Sequence, residues 1–488
     1  LQQMTLPDDF ITQAKADMGD SLWQRLAEGL AGEAPVSIRL NPLKCLDGKW
    51  TAVNADGRVV WCGDGFYLKT RPAFTFDPLM HAGMYYVQEA SSMFLDRVMR
   101  QYVTDGPVTM LDMCAAPGGK STVARAALPE GSLLISNEPI RQRAHVLAEN
   151  MQKFGHPDVI VTNNYPQDFV RSGLTFDVIL TDVPCSGEGM FRKDPDAIGE
   201  WSLGNVDKCR RLQREIVADA WACLRQGGVL IYSTCTFNTK ENEENVRYIC
   251  EELGAEMLPV DIAGDWCITG SLLSGFDKPV YRFLPGLTRG EGLFMAVMRK
   301  TGDSEHGNRK TKTKKQKSDR NGRRNSNAAC PCTSWLTSPD GYEMTCCGDT
   351  FTAIPRTWKN VFDAASASLK VLSAGVQLGT MKGRDVIPAH ALALSTALNS
   401  AAFPSAELDY GQAVSYLRKE SVTLPPDTPR GYVMMRYKSV PLGFEKNIGN
   451  RANNLYPAEW KIKSTHTPEG DTRVIDKEER TGSNVTAE

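Results

Sequence analysis

Asp112-Met-Cys-Ala-Ala-Pro-Gly-Gly-Lys-Ser121 is the stretch that decides the fold. It continues a short apolar run from Val108 to Met113 and leads into a helical stretch from Ser121. The small residues Ala115 to Gly119 therefore form a strand-to-helix turn, where backbone amides can approach a ligand at a helix N-terminus. Gly119-Lys120-Ser121 matches the last three positions of a P-loop, but Cys114 stands where that motif needs its first glycine. A dinucleotide fingerprint also fails, because only the adjacent pair Gly118-Gly119 is present. The next strand, Ser132 to Ser136, leads to Glu138, about 20 residues after the glycines, where an acid can accept hydrogen bonds from ribose hydroxyls. Pro139 follows, so the acid also suits a helix start. Turn and acid together point to a nucleoside cofactor without naming it.

Outward from this stretch, strands and helices alternate. Ile140 to Phe154 is an amphipathic run. Val159 to Val161, Phe176 to Leu180 and Gly228 to Tyr232 are further strands, and Cys209 to Leu224 is helical between the last two. Leu293 to Met298 closes the series. The alternation predicts βαβ units and an α/β fold with a doubly wound, mostly parallel sheet. Ligands of such sheets lie beyond the carboxyl ends of the strands.

Two of those ends carry thiols. The fourth strand runs into Thr181-Asp182-Val-Pro-Cys185-Ser-Gly-Glu-Gly189, and the fifth into Tyr232-Ser-Thr-Cys235-Thr236. A lone cysteine is most often a small buried hydrophobe. Two at neighbouring strand ends, among Pro, Gly, Ser and Thr, fit chemistry better. Neither belongs to a Cys-x-x-Cys pair, and no histidine lies between Asp182 and Cys235, which argues against zinc and against a cysteine–histidine protease.

The chain of 488 residues has length enough for two to four domains. Its 13 cysteines, an odd number spread widely, suit free thiols in a reducing cytoplasm. No run of about 18 apolar residues could span a membrane. The start, Leu1-Gln2-Gln3-Met4 running into Asp8-Asp9, lacks the layout of a signal peptide, and Met4 is read as the natural start. The net charge of -2 hides an asymmetry: Arg309 to Arg324 holds nine Lys/Arg and one acid, Asp319. Without that stretch, 47 of the 56 bases face 57 of the 58 acids. It reads as a solvated linker or as a basic tether for a polyanion, two roles that are compatible. Beyond it, Cys330, Cys332, Cys346 and Cys347 leave a zinc site open, although their Cys-x-Cys and Cys-Cys spacing departs from the usual pairs. The polar stretch after Thr465 reads as a frayed tail.

Cys114-Ala-Ala-Pro-Gly-Gly-Lys120, Asp182-Val-Pro-Cys185-Ser-Gly and Ser233-Thr-Cys235 together resemble the RNA 5-methylcytosine methyltransferases of the NOL1/NOP2/Sun family. Ser37 to Lys44, Gln88 to Ser92 and Arg192 to Pro195 agree with it. Leu442-Gly-Phe-Glu-Lys-Asn-Ile-Gly-Asn450 and Asn454-Leu-Tyr-Pro457 resemble the PUA-like end of its RsmF-type small-subunit rRNA members. The resemblance covers nearly the whole chain except the basic linker and both ends.

It implies a Rossmann-like class I methyltransferase with an N-terminal α/β RNA-binding region and a C-terminal PUA-like β-rich domain. The divisions are 1–85 for the N-terminal region, 86–300 for the methyltransferase, 301–330 for the linker, 331–465 for the PUA-like region and 466–488 for the tail. S-adenosylmethionine is the implied cofactor, held by Cys114, Ala115, Ala116, Pro117, Gly118, Gly119 and Lys120, by Glu138 at the ribose and by Asp182 near its methionine end. Cys235 is the implied nucleophile toward carbon 6 of cytosine, with Asp182 at ring N3, Lys120 assisting and Cys185 serving release. Where the family often carries an acid for the adenine amino group, a gapless count places Tyr165, and Asn163 or Asn164 could substitute. RNA, most of all 16S rRNA, is the implied partner of a monomeric cytoplasmic enzyme. A tRNA or large-subunit rRNA substrate, and a catalytically silent ribosome assembly factor, stay open as alternatives.

Overall fold

A computed structural model describes residues 5–46, 48–301 and 331–466, together with 468, 470 and 472–478. The basic stretch Arg309 to Arg324 and Cys330 lie outside the described residues.

Nine strands form the central sheet: β1 Thr109–Asp112, β2 Leu133–Asn137, β3 Val159–Thr162, β4 Phe176–Asp182, β5 Leu224–Thr234, β6 Ala255–Met257, β7 Val280–Phe283, β8 Leu293–Lys300 and β9 Val371–Ala374. Their order is β6-β8-β5-β4-β1-β2-β3-β9, with β7 also pairing with β8. The pairs from β5 through β4, β1 and β2 to β3 are parallel, whereas β6, β7, β8 and β9 join antiparallel. The sheet is thus mixed, with a parallel centre. The chain winds one way from β1 through β2 to β3 and the other way through β4 to β5. The switch between β1 and β4 opens the crevice in which such sheets bind ligands.

Alternate residues supply two apolar layers. Met110, Leu134, Val161, Leu180 and Ile231 enter one core cluster, and Leu111, Ile135, Ile160, Ile179 and Leu230 the other. Burial on both faces explains why these strands read as unbroken apolar runs. Helices Gly119–Ala127, Arg141–Phe154 and Leu203–Cys223 follow β1, β2 and the β4 loop. The last begins six residues before its expected start at Cys209, where the Ser202 hydroxyl accepts a hydrogen bond from the Asn205 amide.

Two expectations need correction. Leu293–Lys300, which lies between β5 and β6, does not close the series of strands, because β9 from beyond the linker joins the sheet beside β3. The stretch after Thr465 does not simply fray, because Ile475–Lys477 pairs antiparallel with Trp50–Ala52, and Val474 and Ile475 are buried. β9 and Ile475–Lys477 each find a partner hundreds of residues away, and burying their few apolar side chains stabilises pairings that local pattern cannot signal.

The N-terminal strands Val36–Leu40, Ala55–Arg58, Gly65–Leu68 and Tyr85–Val87 form one sheet. Ser405–Leu408, Gly431–Tyr437, Val440–Asn447 and Ala452–Asn454 form another in the C-terminal block. They share one core: Ile38, Phe66 and Leu79 pack in the same cluster as Val414, Val433 and Tyr456. Near this junction His390 stacks edge-on against Tyr456 and Trp460, and neither of its ring nitrogens has a hydrogen-bond partner among the described residues. Burial and then the Lys153 charge push its pKa down to about 3. A depressed folded value means that its stabilising neutral form is fully present above the unfolded value near 6.5 and is lost as pH falls toward 3. His390→Phe keeps the ring and removes two unsatisfied polar atoms. Its denaturant midpoint at pH 7 is expected to match or exceed the parent's. At about pH 4.5 the variant should be more stable by about 2–3 kcal/mol. Parallel acid-denaturation slopes in the two proteins would overturn this.

Candidate active site

The parallel register brings the chemistry-bearing residues to one edge. Ser233 on β5 lies opposite Asp182 on β4, and Leu180 on β4 opposite Asp112 on β1. Asp182 ends β4, and two short loops leave β4 and β5 side by side. Their backbones meet at a glycine: the Gly189 amide donates to the Cys235 carbonyl at 2.7 Å, and a Cβ at Gly189 would lie 2.5 Å from that oxygen. No side chain fits there. The consequence is a 3.1 Å separation between Cys185 Sγ and Cys235 Sγ.

Beside the thiols, Lys120 Nζ donates to Asp182 Oδ2 at 2.9 Å, and Ser233 Oγ donates to Asp182 Oδ1 at 2.6 Å. Burial opposes the charge on Lys120, but the adjoining Asp182 carboxylate outweighs it, with Cys235 and Glu89 adding to the effect. The net result lies above the ordinary lysine value. Cys185 is held as a neutral thiol: its hydrogen bond with Cys235, then burial, then the Cys235 charge raise its pKa well above the usual thiol value. Cys114 is also kept neutral, by burial and by Asp112, Glu138 and Asp182. Cys235 is the remaining thiol of the group, with Cys185 Sγ at hydrogen-bond distance and the Lys120 charge nearby.

The cofactor end has a different character. Gly118, at φ 114°, turns the chain from β1 into its helix in a left-handed conformation, and a Cβ there would press within 3.2 Å of Leu147. Asn150 donates to the Pro117 carbonyl and Arg143 to that of Ala116, which fixes the turn against the following helix. Glu138, 1% exposed, accepts from the Ile140 amide at 3.0 Å and faces Arg143 at 3.6 Å. Asp112 is fully buried. Its Oδ2 accepts from Ser121, whereas Oδ1 has no partner among the described residues. Burial raises the Asp112 carboxyl to about 7, with Asp182 and Glu138 adding to the rise. Three acids around a glycine turn, one with an orphaned oxygen, suit a cationic nucleoside.

The structure gathers Cys114 to Lys120, Glu138, Asp182, Cys185 and Cys235 along this edge. Of the adenine candidates, Asn163 and Asn164 directly follow β3 at this edge, and Tyr165 comes next. Tyr165 is 65% exposed. Asn163 Nδ2 donates to the carbonyls of Glu138 and Pro139, and both Asn163 and Asn164 bond to Lys370, next to β9. Those amides join the two blocks of the chain. Among the described residues no group of three metal-ligating side chains forms. Cys332 is buried in the C-terminal core, and Cys346 and Cys347 lie on the strand Tyr342–Cys347. Asp112, Ser233, Glu188 and Glu241 join the site beyond the expected residues. Asp112 carries a signal in the sequence, an acid at the end of a buried strand, whereas the two glutamates carry none beyond their nearness to the cysteines.

Residues 104–299 match the family described as 16S rRNA methyltransferase RsmB/F. Residues 6–90 match the N-terminal domain of 16S rRNA methyltransferase RsmF, and residues 403–462 the methyltransferase RsmF PUA domain. Ribosomal RNA small subunit methyltransferase F of Shewanella loihica is 29% identical over 473 residues, spanning 93% of this chain and 94% of the relative. The protein so described from Aliivibrio fischeri is 30% identical over 480 residues, spanning 93% and 97%. Among solved structures, a methyltransferase homolog from Pyrococcus horikoshii has a TM-score of 0.50 at 26% identity, covering 60% of this chain and 94% of its own. NSun6 of Pyrococcus horikoshii, solved with SFG, has a TM-score of 0.51 at 20% identity, covering 62% and 100%, a likeness of fold.

Proposed function

The chain belongs to the RsmF family of small-subunit ribosomal RNA methyltransferases, and on that premise we propose that it methylates carbon 5 of a cytosine in 16S rRNA through a covalent adduct with Cys235. The observation that supports this most is the pair of thiols 3.1 Å apart beside the Lys120–Asp182 ion pair. One nucleophile alone would not need that arrangement.

S-adenosylmethionine, when bound, supplies the methyl group as a reactive sulfonium. The turn Cys114 to Lys120 would hold it, with Glu138 at its ribose and the acids Asp112 and Asp182 balancing its positive charge. The remaining work falls to the chain's own side chains. A Cys235 thiolate lone pair bonds to carbon 6 of the ring. The C5–C6 π pair moves to C4–C5 and the C4–N3 pair onto N3, which takes a proton from Asp182 that the partner Lys120 supplies to the carboxylate. Carbon 5 becomes nucleophilic, so one hard step is divided into easier ones. Once carbon 5 is methylated, N3 gives back its proton and Cys185 takes the proton on carbon 5. The C5–H pair restores the C5–C6 double bond, and the C6–S pair leaves with Cys235.

Bonding of Cys235 to carbon 6 favours this role. The Cys185 pKa is raised first by the hydrogen bond with Cys235, then by burial and then by the Cys235 charge. The adduct removes the thiol partner and its charge while burial remains, so Cys185 gives its proton to solvent more readily and can act as the base. The enzyme is taken to act as a cytoplasmic monomer on RNA bound by its N-terminal and PUA regions. Among the described residues no helix is long and apolar enough to cross a membrane.

Incubating the enzyme with S-adenosylmethionine and small-subunit rRNA lacking the modification, followed by bisulfite sequencing, is expected to protect one cytosine from conversion. Methyl incorporation on a different atom or base, with no protected cytosine, would refute the assignment.

A further inference from the structure

The two cysteine loops are tied together by two buried carboxylates that the chemistry above does not use. Glu241 lies beyond Cys235 in sequence, yet it grips the other loop: Oε2 accepts from the Ser186 amide at 3.1 Å, and Oε1 from the Ser186 hydroxyl. Gln213 Nε2 donates both to Glu241 Oε2, at 2.7 Å, and to the Pro184 carbonyl, at 3.0 Å, so the residues on each side of Cys185 hang from one carboxylate. Glu188, three residues after Cys185, reaches the opposite way. Its Oε2 accepts from the amides of Phe237 and Asn238 at 2.6 and 3.1 Å, and its Oε1 from Trp201 Nε1 at 3.0 Å. Asn238 Nδ2 donates to both acids, at 2.8 Å to Glu188 and 3.0 Å to Glu241.

Glu188 and Glu241 are 1% and 0% exposed. Burying two carboxylates within reach of one amide is expensive: burial and the Glu241 charge push Glu188 up to about 7. Packing alone would be better served by apolar side chains. Every group that meets the carboxylates, in contrast, is an N–H or O–H donor, and the backbone amides that each acid holds belong to the opposite loop: Ser186 for Glu241, and Phe237 and Asn238 for Glu188.

We infer that Glu188 and Glu241 are crossed positioning residues: Glu241 sets the place of Cys185, and Glu188 sets the place of Cys235. The inference rests on the covalent reading of the two cysteines. It makes a crossed forecast, since each acid controls the thiol of the loop it does not belong to. Glu188→Gln turns an amide N–H₂ against Trp201 Nε1–H or the two backbone donors, which displaces the Cys235 loop. Glu241→Gln retains one acceptor oxygen of two and loosens the Cys185 loop.

The test follows a single turnover of the full-length enzyme with small-subunit rRNA and methyl-labelled S-adenosylmethionine. Denaturing gels time the formation and decay of the protein–RNA adduct, with Cys185→Ala as reference. Glu241→Gln is expected to form adduct at the parental rate and to release it roughly 10–100-fold more slowly, as a thiol displaced by a fraction of an ångström would. Glu188→Gln is expected to form adduct more slowly by a similar factor, without any persistent species. Equal slowing of both phases in both variants, or effects that follow each acid's own loop, overturns the crossed assignment. If Cys185→Ala itself holds no adduct, the covalent reading fails and this inference with it. Should thermal melts show either glutamine variant unfolded, Ser186→Ala and Trp201→Phe each remove one donor from outside the acids. Ser186→Ala should then slow release and Trp201→Phe formation, and folded variants that do neither decide against the proposal.

Discussion

Cys235→Ala should abolish methyl transfer without leaving any covalent protein–RNA species, while Cys185→Ala should leave an adduct that survives denaturing gels. Removing the attacking sulfur leaves carbon 5 unactivated, a loss of roughly a millionfold by comparison with other covalent catalysts stripped of their nucleophile. Removing Cys185 spares the attack, since the Lys120–Asp182 pair remains, but takes away the group placed to receive the carbon 5 proton. The C6–S bond then has no route to break, and the adduct should require S-adenosylmethionine and intact Cys235. If both cysteines were only packing residues, both alanines would lower stability alike and trap nothing. If Cys235→Ala trapped RNA and Cys185→Ala did not, the roles would be reversed. If neither trapped RNA and both still methylated it, the covalent mechanism would be wrong.

Glu138→Ala should weaken S-adenosylmethionine binding by about 10–100-fold, the equivalent of losing roughly 1.5–3 kcal/mol from a hydrogen bond to a charged group. RNA affinity should stay close to the parent's, because Glu138 is buried and follows a strand of the central sheet, separate from the N-terminal and PUA sheets. The substitution also deletes an acceptor for the Ile140 amide. The melting temperature of the ligand-free variant is therefore measured first, so that the ligand-induced rise can be compared on its own. Calorimetry showing unchanged cofactor affinity would sink the assignment of Glu138.

The features of this protein that are legible in the chain alone are those written in short spans. The turn from Asp112 to Ser121, the acid at Glu138 and the two cysteine motifs are each set within about a dozen residues by strand period, small-residue turns and helix starts, interactions between near neighbours. Those local patterns sufficed for the parallel centre of the sheet and for which of its ends carry thiols and acids. Only the tertiary structure decided the rest. It placed β9 against β3, Ile475–Lys477 against Trp50–Ala52, and the N-terminal sheet in one core with the C-terminal one. It left Asp112 Oδ1 without a partner among the described residues and crossed Glu188 and Glu241 between the loops. It also turned Asn163 and Asn164 toward Lys370. Each of these depends on contacts between residues far apart in the chain, whose closure cost and burial gain are settled only when the whole core forms. A buried carboxylate is the sharpest case, for its identity is local, while its charge and purpose depend on which donors the fold brings to it.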